Sequence, residues 1–170
     1  MTPSRFHIRP ATAADADAII QVHAESVRIL CAADYPPWQI DAWMTQVKNV
    51  VGNWLETKLS LPGLMMLVAE SNFSVVGFGE RWLKEIYAVY VHPLYTRRGI
   101  GSALVAELER SARDDGLAIL ELDASLTAEP FYRACGYEIV SRGSHSFIDG
   151  TAIASVRMAK RLQSPARAGK

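Results

Sequence analysis

The run from Tyr90 to Val105 constrains this chain more than any other segment. A strand of β-branched and aromatic residues stops at His92-Pro93. A short basic loop follows through Thr96, Arg97 and Arg98, and Gly99-Ile100-Gly101 then opens an apolar helix with a period near 3.6. A strand delivered into a helix start in this way gathers unpaired backbone N–H groups, the positive end of a helix dipole and two guanidinium groups at one point. Such a point suits an anion, above all a phosphate or diphosphate. Glycine lets a backbone wrap closely round that anion and adopt turn angles other residues resist. Spacing excludes two other phosphate motifs. A dinucleotide fingerprint needs glycine where Leu104 stands, and a Walker loop needs a Gly-Lys-Ser/Thr run that is absent. Taken alone, the run also reads as a glycine-rich helix start with solvated arginines.

The length fits one domain with a substantial core: 170 residues, 49% hydrophobic and 21% charged. The 18 basic and 18 acidic residues cancel, so no global field favours nucleic acid or an anionic membrane as a partner. Cys31 and Cys135 are too few for a disulfide scaffold and lack metal-ligand spacing, so no metal site is expected. There is no apolar run of bilayer length and no signal-peptide core, and the expected location is the cytoplasm.

Local patterns predict a strand at Phe6–Arg9, then a helix capped by Thr12 with Asp15 and lined by Ile19, Ile20, Val22, His23 and Val27. A second helix starts at Pro36-Pro37 and carries Trp38, Ile40, Trp43, Met44 and Val47, and a third runs from Val50 to Leu59. Strands at Leu64–Glu70 and Val75–Glu80 make a hairpin, followed by a strand at Glu85–Val91. A helix marked by Ile100, Leu104, Leu108 and Ala112 ends at Gly116. Beyond it come a strand at Ile119–Asp123, a helix at Ala128–Cys135 and strands at Tyr137–Ser141 and Ile153–Lys160. The order is α+β, in a single domain over residues 1–162, with a disordered tail over 163–170.

Glu85-Ile86-Tyr87-Ala88-Val89-Tyr90-Val91-His92-Pro93, with Arg97-Arg98-Gly99-Ile100-Gly101, resembles the signature of the GNAT superfamily of N-acetyltransferases. Pro130-Phe131-Tyr132-Arg133-Ala134-Cys135-Gly136-Tyr137 resembles that superfamily's second signature, in the same order and separation. The resemblance is strong from Val68 to Val140, and outside it Asp34-Tyr35-Pro36 with Gln39-Ile40 and Trp43 resembles a segment of uncharacterised bacterial members. It implies a mixed, mostly antiparallel twisted sheet flanked by helices, with splayed central strands. It also implies acetyl-CoA as co-substrate, its pantetheine arm adding to the open strand edge at Val89, Tyr90 and Val91. Arg97, Arg98, Gly99, Ile100, Gly101 and Ser102 would hold the diphosphate. Thr127 stands where many relatives carry an Asn that contacts the pantetheine, and Thr96 stands where they carry Gln or Arg. Phe131 and Tyr132 would flank the cofactor.

The implied reaction transfers acetyl to a primary amine by direct attack. Tyr132 is the candidate proton donor to the departing thiolate, since a phenol of pKa about 10 is protonated at neutral pH. Half-buried packing on a helix face is its plainer role. Glu85 is the candidate general base, because alternation puts Glu85, Tyr87, Val89 and Val91 on one face. Its plainer role is a strand end paired with Lys84 or Arg81; Glu80 is the second choice. His92 reads as structural and Cys135 as a small apolar packer. Tyr35, Trp38 and Trp82 are candidates for the acceptor pocket, and core or cover is their plainer role. The acceptor is expected to be a small molecule. A protein or peptide amine and a non-catalytic acyl-CoA-binding role remain as alternatives, and a homodimer is compatible with the resemblance.

Overall fold

The computed structural model describes residues 6–48 and 53–163. β1 (His7–Pro10) leads through a 3-10 turn at Ala13–Asp15 into α1 (Ala16–Leu30). Thr12 opens this start as its sequence indicates: its N–H and hydroxyl donate to Asp15 Oδ2 at 2.7 and 3.0 Å. α2 (Pro37–Lys48) has proline in its first turn, and α3 (Trp54–Leu59) follows. The first residues of the predicted third helix lie outside the described residues, as does the predicted tail from 164 onward.

β2 (Leu64–Ser71) and β3 (Ser74–Trp82) form the expected hairpin. Its turn residues Asn72 and Phe73 both take positive φ, 50° and 62°, the turn hand that matches strand twist. β4 (Glu85–Val91), α4 (Ile100–Asp114), β5 (Ile119–Ser125) and α5 (Glu129–Ala134) come next. β6 (Glu138–Ser146) and β7 (Ala152–Arg161) close the chain as a hairpin longer than predicted, because pairing continues through the polar stretch as far as Ser146 and Ala152. That stretch has no apolar alternation to read.

The sheet order is β1-β2-β3-β4-β5-β7-β6, and every pair is antiparallel except β4–β5. On one face α4 packs Leu104, Val105, Leu108 and Ala112 against Ile86, Leu120, Leu122 and Met158. On the other, Ile19, Val22 and Leu55 from α1 and α3 cover Met66, Val68 and Phe78. A third cluster joins Val27, Cys31 and Tyr35 to Ile40, Met44 and Ile153.

A feature of β4 reverses part of the sequence reading. The β3 register passes from Glu80↔Ala88 to Arg81↔Ile86, which leaves Tyr87 as the extra residue of a bulge. Below the bulge the alternation changes phase. Ile86 shares the α4 face with Val89 and Val91, whereas Glu85, opposite Trp82, turns to the α1 face with Ala88 and Tyr90. Glu85 therefore does not share a face with Val89 and Val91.

Candidate active site

β4 and β5 pair only at Glu85↔Glu121 and Ile86↔Leu122, then diverge. Which β4 groups face the gap follows from the ladder on its other side. His92 N–H donates to Val76 O at 2.9 Å. Antiparallel partners alternate between bonded and non-bonded pairs. Phe78↔Tyr90 is therefore a bonded pair, while Gly77↔Val91 and Gly79↔Val89 turn their β4 peptide groups toward the gap. Val89 and Val91 thus carry the open edge. The peptide groups of Tyr90 are used in the β3 ladder, and its ring stacks on Phe78 at 5.4 Å on the α1 face, which removes Tyr90 as an edge contact.

The loop beyond β4 has the conformation an anion needs. His92 Nδ1 accepts from Leu94 N–H at 3.2 Å and opens a 3-10 turn at Pro93–Tyr95. Arg97 and Gly99 then take positive φ, 62° and 81°, which curls successive N–H groups into a concavity. Gly99 is the N-cap of α4, and among the described residues none but its chain neighbours comes within 4 Å of where its Cβ would stand. The first amides of α4 have no partner within the helix and are available to a ligand there. Arg97, Arg98 and Ser102 are exposed around it, and Arg98 lies over the Tyr95 ring at 4.9 Å. Ile100 is different: its side chain is buried under the sheet, so only its backbone is available.

Gly101 has a separate reason to be glycine. A Cβ there would meet the Phe131 ring at 3.1 Å and Val91 Cγ2 at 3.7 Å. The first turn of α4 therefore sits directly against α5. Phe131, the neighbour of Tyr132 in α5, thereby lies between the start of α4 and the end of β4. Tyr132 is buried, with ring contacts to Phe131 at 5.0 Å and Tyr137 at 5.7 Å. Burial, with Cys135 nearby, pushes its phenol above the ordinary value, so it keeps its proton at neutral pH. Burial, Cys31 and Tyr132 do the same to Tyr90.

Glu85 is committed elsewhere. Both its oxygens accept from the Arg157 guanidinium, one of them from Nη2 at 2.9 Å. Arg157 also donates to Glu121 at 2.7 Å and to Asp123 at 3.4 Å. Lys84 donates to Glu121 at 3.1 Å, and the Lys84 ammonium, with the Arg157 guanidinium, holds Glu121 below the usual carboxylate value. The group ties β4, β5 and β7 together where the gap begins. The partner of Glu85 is thus Arg157, not Lys84 or Arg81, and a carboxylate held in a guanidinium fork is poorly placed to take a proton from an ammonium. Glu80, the second choice, accepts from Lys58 at 2.7 Å.

The acceptor candidates separate. Tyr35 is buried, and its hydroxyl donates to Ala154 O and accepts from Leu126 N–H, both at 2.7 Å. It bolts the α1–α2 turn to β7 and to the end of β5, with nothing left for a ligand. Trp38 is 60% exposed at the start of α2. Trp82 lies at the β3–β4 turn, its indole donating to Pro62 O at 3.0 Å and its ring 6.3 Å from Tyr87. Thr127 donates to Asp34 at 2.6 Å, which directs its hydroxyl to the α1–α2 turn.

Sequence reasoning missed Arg157 and Ser26. Ser26 donates to Val91 O at 2.9 Å, and no motif marks it. Among the described residues, no three His, Cys, Asp or Glu side chains could together hold a metal, and no helix is long and apolar enough to cross a membrane.

Comparison with known proteins agrees with this geometry. An acetyltransferase (GNAT) domain profile matches residues 31–162. An uncharacterized N-acetyltransferase of Escherichia coli, YafP, is 32% identical over 139 residues, which is 82% of this chain and 85% of that protein. A GCN5-related N-acetyltransferase crystal structure from Rhodopseudomonas palustris superposes with a TM-score of 0.84 at 31% identity, covering 95% of this chain and 99% of the other. The PaiA N-acetyltransferase of Thermoplasma acidophilum, solved in complex with coenzyme A, shares the fold. Its TM-score is 0.73 at 20% identity, over 92% of this chain and 99% of that one. With the splayed β4–β5 pair, the amide-lined loop and the matching profile, the chain belongs to the GNAT family of acetyl-CoA-dependent N-acetyltransferases.

Proposed function

We propose that this enzyme, acting in the cytoplasm, acetylates a primary amine of a small molecule by direct attack on acetyl-CoA, with Tyr132 as the general acid. The observation that carries the reading is the convergence of three features: the open β4 edge at Val89 and Val91, the concave loop at Arg97–Ser102, and the buried phenol of Tyr132.

The loop amides and the exposed arginines bind the diphosphate through charge-assisted hydrogen bonds. The pantetheine amides extend the sheet along β4 by strand addition. An N–H of the β4 edge meets the acetyl oxygen as negative charge develops there. The amine lone pair forms the new C–N bond, the C–S bond breaks, and the sulfur takes the phenolic proton of Tyr132. The nitrogen releases its own proton to water, because Glu85 is held by Arg157, and solvent returns a proton to the Tyr132 phenolate. The ion-pair group is structural in this account.

A small acceptor is favoured over a peptide by the way the acceptor side is closed. Gln39 of α2 donates to Ala152 O at 2.8 Å, and Trp43 packs on Phe147 at 6.0 Å. These contacts fasten α2 to the β6–β7 turn, where an extended peptide would need a groove.

The test is release of free thiol from acetyl-CoA over a panel of primary amines, aminoglycosides and N-terminal peptides. Turnover is expected with a small amine and not with peptides. With that amine, Tyr132→Phe should lower kcat roughly 10²-fold or more while acetyl-CoA affinity stays within a few-fold. Undiminished turnover would remove Tyr132 from the mechanism, and preference for peptides would overturn the acceptor class.

A further inference from the structure

We infer that the acceptor carries its primary amine on an uncharged aromatic body, and that Tyr90, Trp43, Leu126 and Phe147 form the wall that selects it. The inference rests on the proposal that a small amine attacks acetyl-CoA held along the β4 edge.

The wall follows from what covers the gap. β4 turns Ala88 and Tyr90 to the α1 face, whereas Val89 and Val91 face α4. Tyr90 therefore flanks the open edge on the side away from Tyr132, which belongs to the α4-side core. Leu126, the first residue after β5, packs against that core and also against the third cluster, around Cys31 and Tyr35. A residue reaches cores on both faces only where the sheet is open, so Leu126 marks the other bank of the gap. The two phenols sense each other across it: after burial and Cys31, Tyr132 is a further group that pushes the Tyr90 pKa up. From α2, the Trp43 indole N–H donates to the Tyr90 hydroxyl. Phe147, in the β6–β7 turn, packs on Trp43 at 6.0 Å. All four wall residues are only partly buried, so each keeps surface for a ligand.

The pantetheine arm enters from the diphosphate loop beside Val91, and its thioester end lies farther down β4. Phe131 and Tyr132 pack on the α4 side of the gap, so the amine approaches from the α1 side, over this wall.

The chemistry of the wall sets the class of acceptor. His23 and Tyr35 meet it through their rings, and Cys31 and Tyr132 lie close to Tyr90. Burial holds the His23 pKa down at about 4 and pushes the thiol and both phenols up, so all four groups are uncharged at neutral pH. Carboxylates of the same face are engaged: Asp34 by Thr127, and Glu85, Glu121 and Asp123 by Arg157. A second ammonium on the acceptor would lie unpaired against apolar rings, and a polyhydroxylated body would lose its hydration for few partners. Nor is the wall a cage for a cation. The Tyr90 ring is stacked on Phe78 at 5.4 Å and met edge-on by His23 at 4.6 Å. An aromatic body packs on the remaining ring edges and on Leu126. The same surroundings disfavour the ammonium form of the reacting amine, which suits a site whose carboxylates are held in ion pairs.

The experiment uses the wild-type full chain, with phenethylamine, cadaverine and glucosamine as acceptors in the thiol-release assay. Phenethylamine is expected to give a kcat/KM about tenfold or more above the others, since a second buried charge or unpaired hydroxyls are costly. Phe147→Glu puts a carboxylate on the wall, at a turn residue away from the cofactor loop. It should lower kcat/KM for phenethylamine about tenfold and raise that for cadaverine, with acetyl-CoA affinity within about threefold. Trp43→Leu stays apolar but removes a ring. It should lower kcat/KM for phenethylamine alone, and it carries the test should Phe147→Glu fail to fold. Calorimetry of phenethylamine on the chain saturated with coenzyme A reads the same wall without turnover, and both variants should weaken that binding. Preference for cadaverine or glucosamine would overturn the inference and leave the proposed small-amine reaction standing. Selectivity unaltered in both variants would do the same. If no amine at all is turned over, the proposed function fails, and absent or unaltered phenethylamine binding then overturns the inference as well.

Discussion

His23 sits on the buried face of α1 with its Nδ1 unpartnered among the described residues and its ring against Tyr90. Burial pushes its pKa down to about 4. The unfolded chain, with an ordinary value near 6.5, binds a proton that the folded chain refuses between those limits. The stability tied to a neutral His23 is therefore complete above about pH 6.5 and is lost as pH falls through 4. The full swing is on the order of 3 kcal/mol. Denaturant unfolding of the wild type between pH 4 and 7 should show this slope, and His23→Phe should flatten it. Asp15 adds a separate, more acidic contribution. The Arg9 guanidinium and the Thr12 donors hold its pKa at about 2, so that stability is lost only as pH falls from about 3.8 through 2. Tyr35 shows what sequence hides at this scale. An aromatic beside Pro36-Pro37 reads as a pocket wall or, more plainly, as a core residue, and only the chain segments 91 and 119 residues away, which take both hydroxyl bonds, decide it.

Between elements, α4, α5 and the strands around the β4–β5 gap are joined by ionic clasps. Lys160 of β7 donates to both oxygens of Glu109 on α4, at 2.7 and 2.8 Å, and to Cys135 O at the end of α5 at 2.8 Å. The residue that closes α5, the helix of Tyr132, is thereby tied to α4. Lys160→Met leaves a nearly buried Glu109 carboxylate with only its longer contact to Arg113, at 3.8 Å. It should cost roughly 2–4 kcal/mol in chemical denaturation, toward the lower end because Lys160 is 26% exposed. The Arg157 clasp gives a different signature. Glu85→Gln should leave the pH dependence of turnover in place while lowering stability by about 1 kcal/mol, reduced by partial solvent exposure of the pair. A profile that shifts in Glu85→Gln would return Glu85 to the role of base. The contrast explains which elements were legible. β4, its loop and α4 are consecutive in the chain, so proline, arginines, glycines and helical period announce them together. The bulge at Tyr87 depends on a register with β3 that alternation in β4 alone does not carry, and Arg157 reaches Glu85 from 72 residues away.

At the scale of the whole molecule, the sheet is two antiparallel units, β1 to β4 and β5-β7-β6, joined by two β4–β5 pairs and the Arg157 clasp and then open toward the loop. Acetyl-CoA laid along that opening touches both units, so binding should stabilise the fold as one body. At a hundredfold excess over Kd the linkage amounts to about 2.7 kcal/mol and a raised Tm. The central claim is where the cofactor lies. Titration of the isotope-labelled full chain with coenzyme A, followed by amide chemical shifts, tests it directly. The account predicts that the N–H signals of Val89, Val91 and Gly99 through Ser102 move together with a single affinity, while that of Tyr90, bonded to β3, moves least along the strand. Shifts that spare Val89, Val91 and the loop would contradict it.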